Sequence, residues 1–335
     1  MTATRAALSA ITGDMKTLLV AAALLALEPA PALAWGEYAH RLTGSIAFAE
    51  AKPATKRAIR ALLRQSAAVD TPTCPLRNLE DASYWPDCVR SLGDRYAFAA
   101  TWHYQNVSVC NAFDITAACP DGNCVTAQIP RQLAAVQDRS LPVAKRIEAL
   151  AFLTHFVGDM HQPVHIGDKG DRGANDVRAN YGDKALPRMN LHRIWDTEMA
   201  ERALTEPPSI TRRITQAERA VARGGTVEDW ARESWQAAKD VAYANLQNYP
   251  DKCLLPPAPP LPSLPPAVIP AEGVPAPPPG VSPLAAAFAQ AMAGPRARID
   301  EPYIIAATAV VRARAIAAGV RLAGLLDAAF ARPVR

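Results

Sequence analysis

Residues 142–165, PVAKRIEALAFLTHFVGDMHQPVH, constrain the architecture more than any other stretch of this chain. Ile147, Leu150, Ala151 and Val157 recur at the three-and-four spacing of an α-helix. Pro142 suits a first helical turn and Pro163 a stop, so the pattern predicts one helix between them. That helix carries His155 and Asp159, four positions apart and so on one face. A second pair with the same spacing, His192 and Asp196, falls in NLHRIWD.

The rest of the chain follows the same period. TVEDWARESWQAAKDVAYANLQ (226–247) and EPYIIAATAVVRARAIAAGVRLAGLLDAAF (301–330) read as helices, and strand alternation is scarce. In the last of these, Arg312, Arg314 and Arg321 interrupt the apolar residues, so it is expected to pack on a core and not to span a membrane. No internal repeat and no glycine-rich phosphate loop occurs. The fold class expected is all-α, with residues 35–335 forming a single mainly helical domain.

Two stretches stand apart from that pattern. Lys16 to Ala34 has a positive residue, the apolar run TLLVAAALLAL and a terminal Ala32-Leu33-Ala34, the three regions of a secretory leader. Residues 1–34 are therefore read as a signal peptide, with Met15 an alternative start. Residues 254–283 hold 13 of the 30 prolines, a composition that favours extended polyproline geometry and reads as an exposed insertion. Export agrees with the six cysteines, which point to an oxidising compartment and to disulfides. Cys119 and Cys124 bracket PDGN, short enough to close, while Cys74, Cys88, Cys110 and Cys253 could pair in three ways. Without a CxxC spacing, zinc ligation by cysteine is disfavoured. The formal charge of +4 accommodates an anionic substrate without requiring one.

All six histidines lie beyond the leader: His40, His103 in WHYQN, His155, His161 and His165 in HFVGDMHQPVH, and His192. A zinc ion needs converging nitrogen and oxygen donors about 2.0 to 2.2 Å away, and a His–Asp pair on one helical turn supplies two of them. With two such pairs, a histidine just past Pro163 and a polar loop GDKGDRGAND beside them, the donors exceed what one metal uses, so several metals are expected.

The pieces WGEYAH, ASYWPDCVR, WHYQN, HFVGDMHQPVH, NLHRIWD, WARES and AGVRLAGLL, in that order, resemble the S1/P1 nuclease family, exported zinc-dependent single-strand nucleases and 3'-nucleotidases related in fold to bacterial zinc phospholipase C. The resemblance runs from Trp35 to the last helix, with the proline-rich stretch as the main departure. It implies a mainly helical domain of the phospholipase C/P1 nuclease type and three zinc ions per chain. By the same resemblance, Asp87, His103 and His155 would hold one zinc, and Asp159 would bridge it to a second. That second zinc would take His40 with the amine and carbonyl oxygen of Trp35, which cleavage after Ala34 would expose. His165, His192 and Asp196 would hold the third. His161 matches no ligand position and is expected to orient neighbours or to face solvent. Arg90 matches an arginine at the scissile phosphate, and Tyr104 a ring on which a base stacks. Asn106 stands where some members have an acidic base-reading residue. The implied substrates are single-stranded DNA, RNA and 3'-nucleotides, for a monomer that is periplasmic or secreted. The competing readings are a zinc phospholipase C and an exported zinc-binding module without catalysis.

Overall fold

Side chains at the helix starts account for where several helices begin. Asn78 accepts from the Asp81 N–H, Asn190 from the Arg193 N–H and Asp300 from the Tyr303 N–H, each satisfying a donor that the first turn leaves free. Thr226 and Asp229 cap reciprocally in the same way. The computed structural model describes residues 35–331 except 117, 208–209, 211–213, 245, 250–252 and 254–291. The leader and the proline-rich stretch 254–283 lie outside the described residues.

In chain order the helices are α1 (Glu37–Glu50), α2 (Pro53–Leu63), α3 (Leu79–Cys88), α4 (Val125–Gln137), α5 (Val143–His161), the short α6 (Pro163–Ile166), α7 (Leu191–Asp196), α8 (Glu198–Thr205), α9 (Gln216–Ala222), α10 (Val227–Ala237) and α11 (Glu301–Ala329). Among the described residues four short strands join them: β1 (Val107–Ser108) pairs in parallel with β2 (Gly167–Asp168), and β3 (Ala179–Tyr181) with β4 (Ala297–Ile299). The architecture is mainly helical, as expected, and these two ribbons are an addition to the all-α reading.

The helix predicted over 142–163 is α5, bounded by Pro142 and Gln162. From Ala149 to His161 all its residues are buried, because α3, α4 and α11 pack around it. A helix enclosed on all sides belongs to the core, so polar groups on it must find partners there or be compensated. The predicted helix over 226–247 stops early: α10 ends at Ala237 and gives way to a π-type turn over Ala238–Ala242. The final helix runs as expected. By length and composition alone α11 could cross a bilayer, but most of it is buried against α1, α5, α8 and α9.

Disulfides join Cys74 to Cys88, Cys110 to Cys253 and Cys119 to Cys124. The structure thus selects one of the three pairings left open. Cys74–Cys88 ties the loop before α3 to that helix's last residue.

Candidate metal centre

Asp159 lies at the middle of a buried cluster drawn from four helices, α1, α3, α5 and α6, and the loop that carries His103. Its Oδ2 is 3.0 Å from His103 Nδ1 and 3.1 Å from His155 Nε2, while its Oδ1 is 3.3 Å from His40 Nε2 and 3.7 Å from His165 Nδ1. Asp87, on α3, approaches His155 Nε2 at 3.8 Å and His103 Nδ1 at 3.9 Å. Next to it, His165, His192 and Asp196 converge, with Asp196 3.1 Å from His192 Nε2 and 3.7 Å from His165 Nε2. Three groups of donor atoms close enough to hold a metal result: His40, Asp87 and His155; His103, His155 and Asp159; His165, His192 and Asp196. His155 belongs to two of them.

Local geometry aims each ring. The remaining nitrogens of His155, His165 and His192 donate to the carbonyls of Ser83 (2.7 Å), His103 (2.8 Å) and Gly173 (2.6 Å). Such a bond fixes the tautomer and turns the other nitrogen toward the cluster. Gly158 lets His40 in, since a Cβ there would come within 3.0 Å of the ring. His40 then stacks on His155 with ring centres 3.9 Å apart. Gly173 has φ +61°, and a Cβ would lie 2.5 Å from the Val164 carbonyl, so only glycine fits where its carbonyl must reach His192. Trp35 is fully buried, and the Gly36 N–H donates to the Asp196 carbonyl at 2.8 Å, which pins the start of the described chain beside the third group.

The electrostatics suit a cation. Burial favours neutral carboxyls, yet His155 and His165 outweigh it and hold Asp159 well below the usual carboxylate range. His192 and His165 do the same for Asp196. Burial pushes His40 and His103 down, whereas Asp159, with its neighbouring carboxylates, overcomes burial at His155 and His165, lifting the latter to about 9. A metal takes ionised carboxylates and imidazoles freed of protons, so its binding would displace the protons that the carboxylates favour on His155 and His165.

Whether a metal fits can be judged from unmatched atoms. Both nitrogens of His40, both oxygens of Asp87, Asp159 Oδ1, His165 Nε2 and Asp196 Oδ2 are buried and lack a hydrogen-bond partner. Leaving so many lone pairs unmatched would cost several kcal/mol without a compensating charge. The nitrogen-and-carboxylate donor set is one that zinc accepts, and the residues fit.

At the mouth, Arg90 has its side chain 29% exposed and Nη1 3.6 Å from Asp87 Oδ1. Tyr104 is 38% exposed, so it is not a core tyrosine. Asn106 is half-buried with its side chain beside Gly173. His161 is fully buried and does not face solvent; it bonds to the Val157 carbonyl and to Arg321. Sequence reasoning missed Gln162, whose amide donates to Asp196 Oδ1 at 2.7 Å while its oxygen caps α6. Its place between His161 and a helix-starting Pro163 was the available signal.

Fold and cluster together define a class, a helical protein built around a buried multi-donor histidine–aspartate centre. The family model described as S1/P1 Nuclease matches residues 35–254, two thirds of the chain, and the chain belongs to that family. It is 31% identical to Endonuclease 3 of Arabidopsis thaliana over 180 residues, covering 52% of this chain and 57% of that protein. Nuclease S1 of Aspergillus oryzae is 27% identical over 192 residues (56% and 62%), and Nuclease P1 of Penicillium citrinum 32% over 112 (32% and 40%). The chain spans less than two thirds of the length of the curated relatives it matches.

Proposed function

We propose that this protein hydrolyses phosphodiester bonds of single-stranded DNA and RNA to 5'-nucleotides, removes 3'-phosphate from nucleotides, and uses three zinc ions to do so. The observation that carries the reading is the placement of Asp159, one carboxylate within 3.7 Å of four imidazoles amid buried atoms that lack partners. Relatives named as endonucleases and as nucleases S1 and P1 supply the substrate class.

In this reading Asp87, His103 and His155 would hold one zinc, and Asp159 would serve both that ion and a second. His40 would join the amine and carbonyl oxygen of Trp35 at the second, and His165, His192 and Asp196 would hold the third. An α-amino group has a pKa of about 7.7 to 8.0, so freeing its lone pair at neutral pH costs only about 1 kcal/mol. Cleavage after Ala34 would thus complete the site. Zinc held there supplies Lewis acidity and acidifies water near neutral pH.

The protein's own groups orient the substrate. Arg90 presents a planar fork that donates two hydrogen bonds to phosphate oxygens beside Asp87. Tyr104 offers an exposed ring for one base, an interaction worth about 1 to 3 kcal/mol with little sequence preference, and Asn106 meets the base edge. A base paired in a duplex cannot splay out to reach that ring, hence the single-strand preference. The three disulfides suit an exported monomer, periplasmic or secreted.

The test is a release assay on protein beginning at Trp35, with single-stranded DNA, duplex DNA, RNA, 3'-AMP and phosphatidylcholine, with and without chelator, alongside a zinc count. Chelator-sensitive release from the single strands and 3'-AMP, slow release from duplex and about three zincs per chain are expected. Turnover of phosphatidylcholine alone, or zinc without hydrolysis, overturns the reading.

A further inference from the structure

We infer that α2 and the turn after it form a second phosphate-binding surface, remote from the chemistry, that tracks the backbone of a long single strand. The inference rests on the proposed nuclease function.

Residues 51–69 contain Lys52, Lys56, Arg57, Arg60 and Arg64 and no acidic residue. These five cations exceed the formal +4 of the whole chain, so the other residues sum to a formal −1. Lys52, Arg57, Arg60 and Arg64 are exposed, and Lys56 is half-buried. Among the described residues none of the five forms an ion pair within 4 Å. Of the nearby acids, Glu50 accepts two bonds from Arg219 and Asp327 accepts from the Lys52 backbone N–H, while Asp70 bounds the segment at its far end. Lys56 Nζ bonds to the Ala49 carbonyl, and both Lys56 and Arg60 lie over the Phe48 ring at 5.8 and 4.9 Å. An unbalanced stripe of this kind raises the local concentration of polyanions.

The occupant follows from the apolar face. Ile59, Leu62 and Leu63 are 1, 5 and 3% exposed, committed to the core, and the outward face of α2 adds only Pro53 and alanines to the cations. A helix that binds a bilayer needs large apolar side chains to insert, and none is free here. A flexible polyphosphate needs charge alone.

The surface is also fastened to the mouth of the candidate site. Arg95 donates to the carbonyls of Val69 and Asp70 at 2.6 and 2.8 Å. Trp85 Nε1 donates to Thr71 Oγ1 at 3.0 Å, and Cys74 is bonded to Cys88, the neighbour of Asp87. The far end of the basic segment is therefore tied to the part of α3 that carries Asp87 and leads to Arg90. A polynucleotide engaged at Arg90 has the cations of α2 beside its path, whereas a mononucleotide ends before reaching them.

The experiment compares the wild type with the triple variant Arg57→Glu, Arg60→Glu, Arg64→Glu, exposed positions whose replacement leaves the melting temperature near wild type. Substrates are an oligothymidylate of about 30 nucleotides and 3'-AMP. For the oligomer, KM is expected to rise at least about fivefold near 0.1 M salt, and the slope of log KM against log salt to fall by about 2, three contacts at roughly 0.7 each. kcat/KM on 3'-AMP is expected to stay within about twofold of wild type, a change under half a kcal/mol. Equal losses on both substrates, or none on either, overturn the inference, as does a variant that loses only its binding to phosphatidylglycerol vesicles. Oligothymidylate binding to chelated protein, followed by fluorescence anisotropy, separates the two ideas. If the wild type hydrolyses nothing yet binds the oligomer through these arginines, the nuclease reading fails and the surface stands.

Discussion

His155 and His161 lie six residues apart on α5, both fully buried, in surroundings of opposite character. Around His161 every lone pair is matched. Its Nδ1 donates to the Val157 carbonyl and its Nε2 accepts from Arg321, so the ring is neutral and of one tautomer. Burial together with Arg314 and Arg321 holds it well below its ordinary range. Glu233 balances those two arginines, and Ser234, the Trp230 carbonyl and the Ala222 carbonyl take their other donors. Around His155, by contrast, atoms of neighbouring His40, Asp87 and Asp159 are buried without a hydrogen-bond partner. A buried polar cluster is thus no pointer to a ligand; unmatched atoms within it are.

The sharpest way to break this contrast is Asp159→Asn. Hydrolysis of single-stranded DNA is expected to fall by at least about a thousandfold with loss of zinc, because residues that act as one unit fail together. Activity and zinc content that survive the change would dissolve the distinction.

Chelation comes next. Stripping zinc from the wild type should lower unfolding stability by about 4 kcal/mol for each site held at a thousandfold excess over Kd, read from the melting temperature with and without chelator. The closed cluster should respond to neither treatment.

Glu233→Gln probes that closed cluster directly. Losing one partner of a buried ion pair costs about 3 to 5 kcal/mol, but Glu233 has its side chain 45% exposed. Solvent screening brings the expectation to about 2 kcal/mol in urea unfolding, with zinc content and KM unchanged. An altered zinc count would join the two clusters into one functional unit.

The smallest effect is in pH. Burial favours a neutral Glu233, but Arg321 and Arg314 outweigh it and hold the carboxyl below its ordinary 4.5. A depressed folded value means the stabilisation is complete above that pH and is lost as pH falls through the folded value. The gap between wild type and Glu233→Gln should therefore close in acid, and a gap that persists there would assign it to packing.

Much of the helical frame was legible in the chain. The period of 142–163 foretold α5 to within a residue or two, because an enclosed helix needs little beyond its own apolar spacing and its prolines. The 226–247 pattern overran: the chain leaves the helix in the turn that precedes Tyr243, whose hydroxyl bonds to Asp171 at 2.7 Å, a partner 72 residues away. At the candidate site the sequence named the histidines and aspartates that the structure brings together, and Tyr104 and Arg90 reach the surface. Gln162 stayed hidden, since its bond to Asp196 crosses between helices.

What the sequence determined by itself is whatever repeats or pairs locally: helical period, caps, the one-turn spacing of His155 with Asp159 and of His192 with Asp196, and the short Cys119–Cys124 bridge. Only the tertiary structure decided that the surroundings of His161 are matched while neighbours of His155 keep unmatched atoms, that Cys74 joins Cys88 and Cys110 joins Cys253, and that the cations of α2 lie on the surface without an ion-pair partner. The physical reason is range. Backbone geometry is set within a few residues, whereas the matching of buried donors, acceptors and charges depends on which distant segments the core draws together.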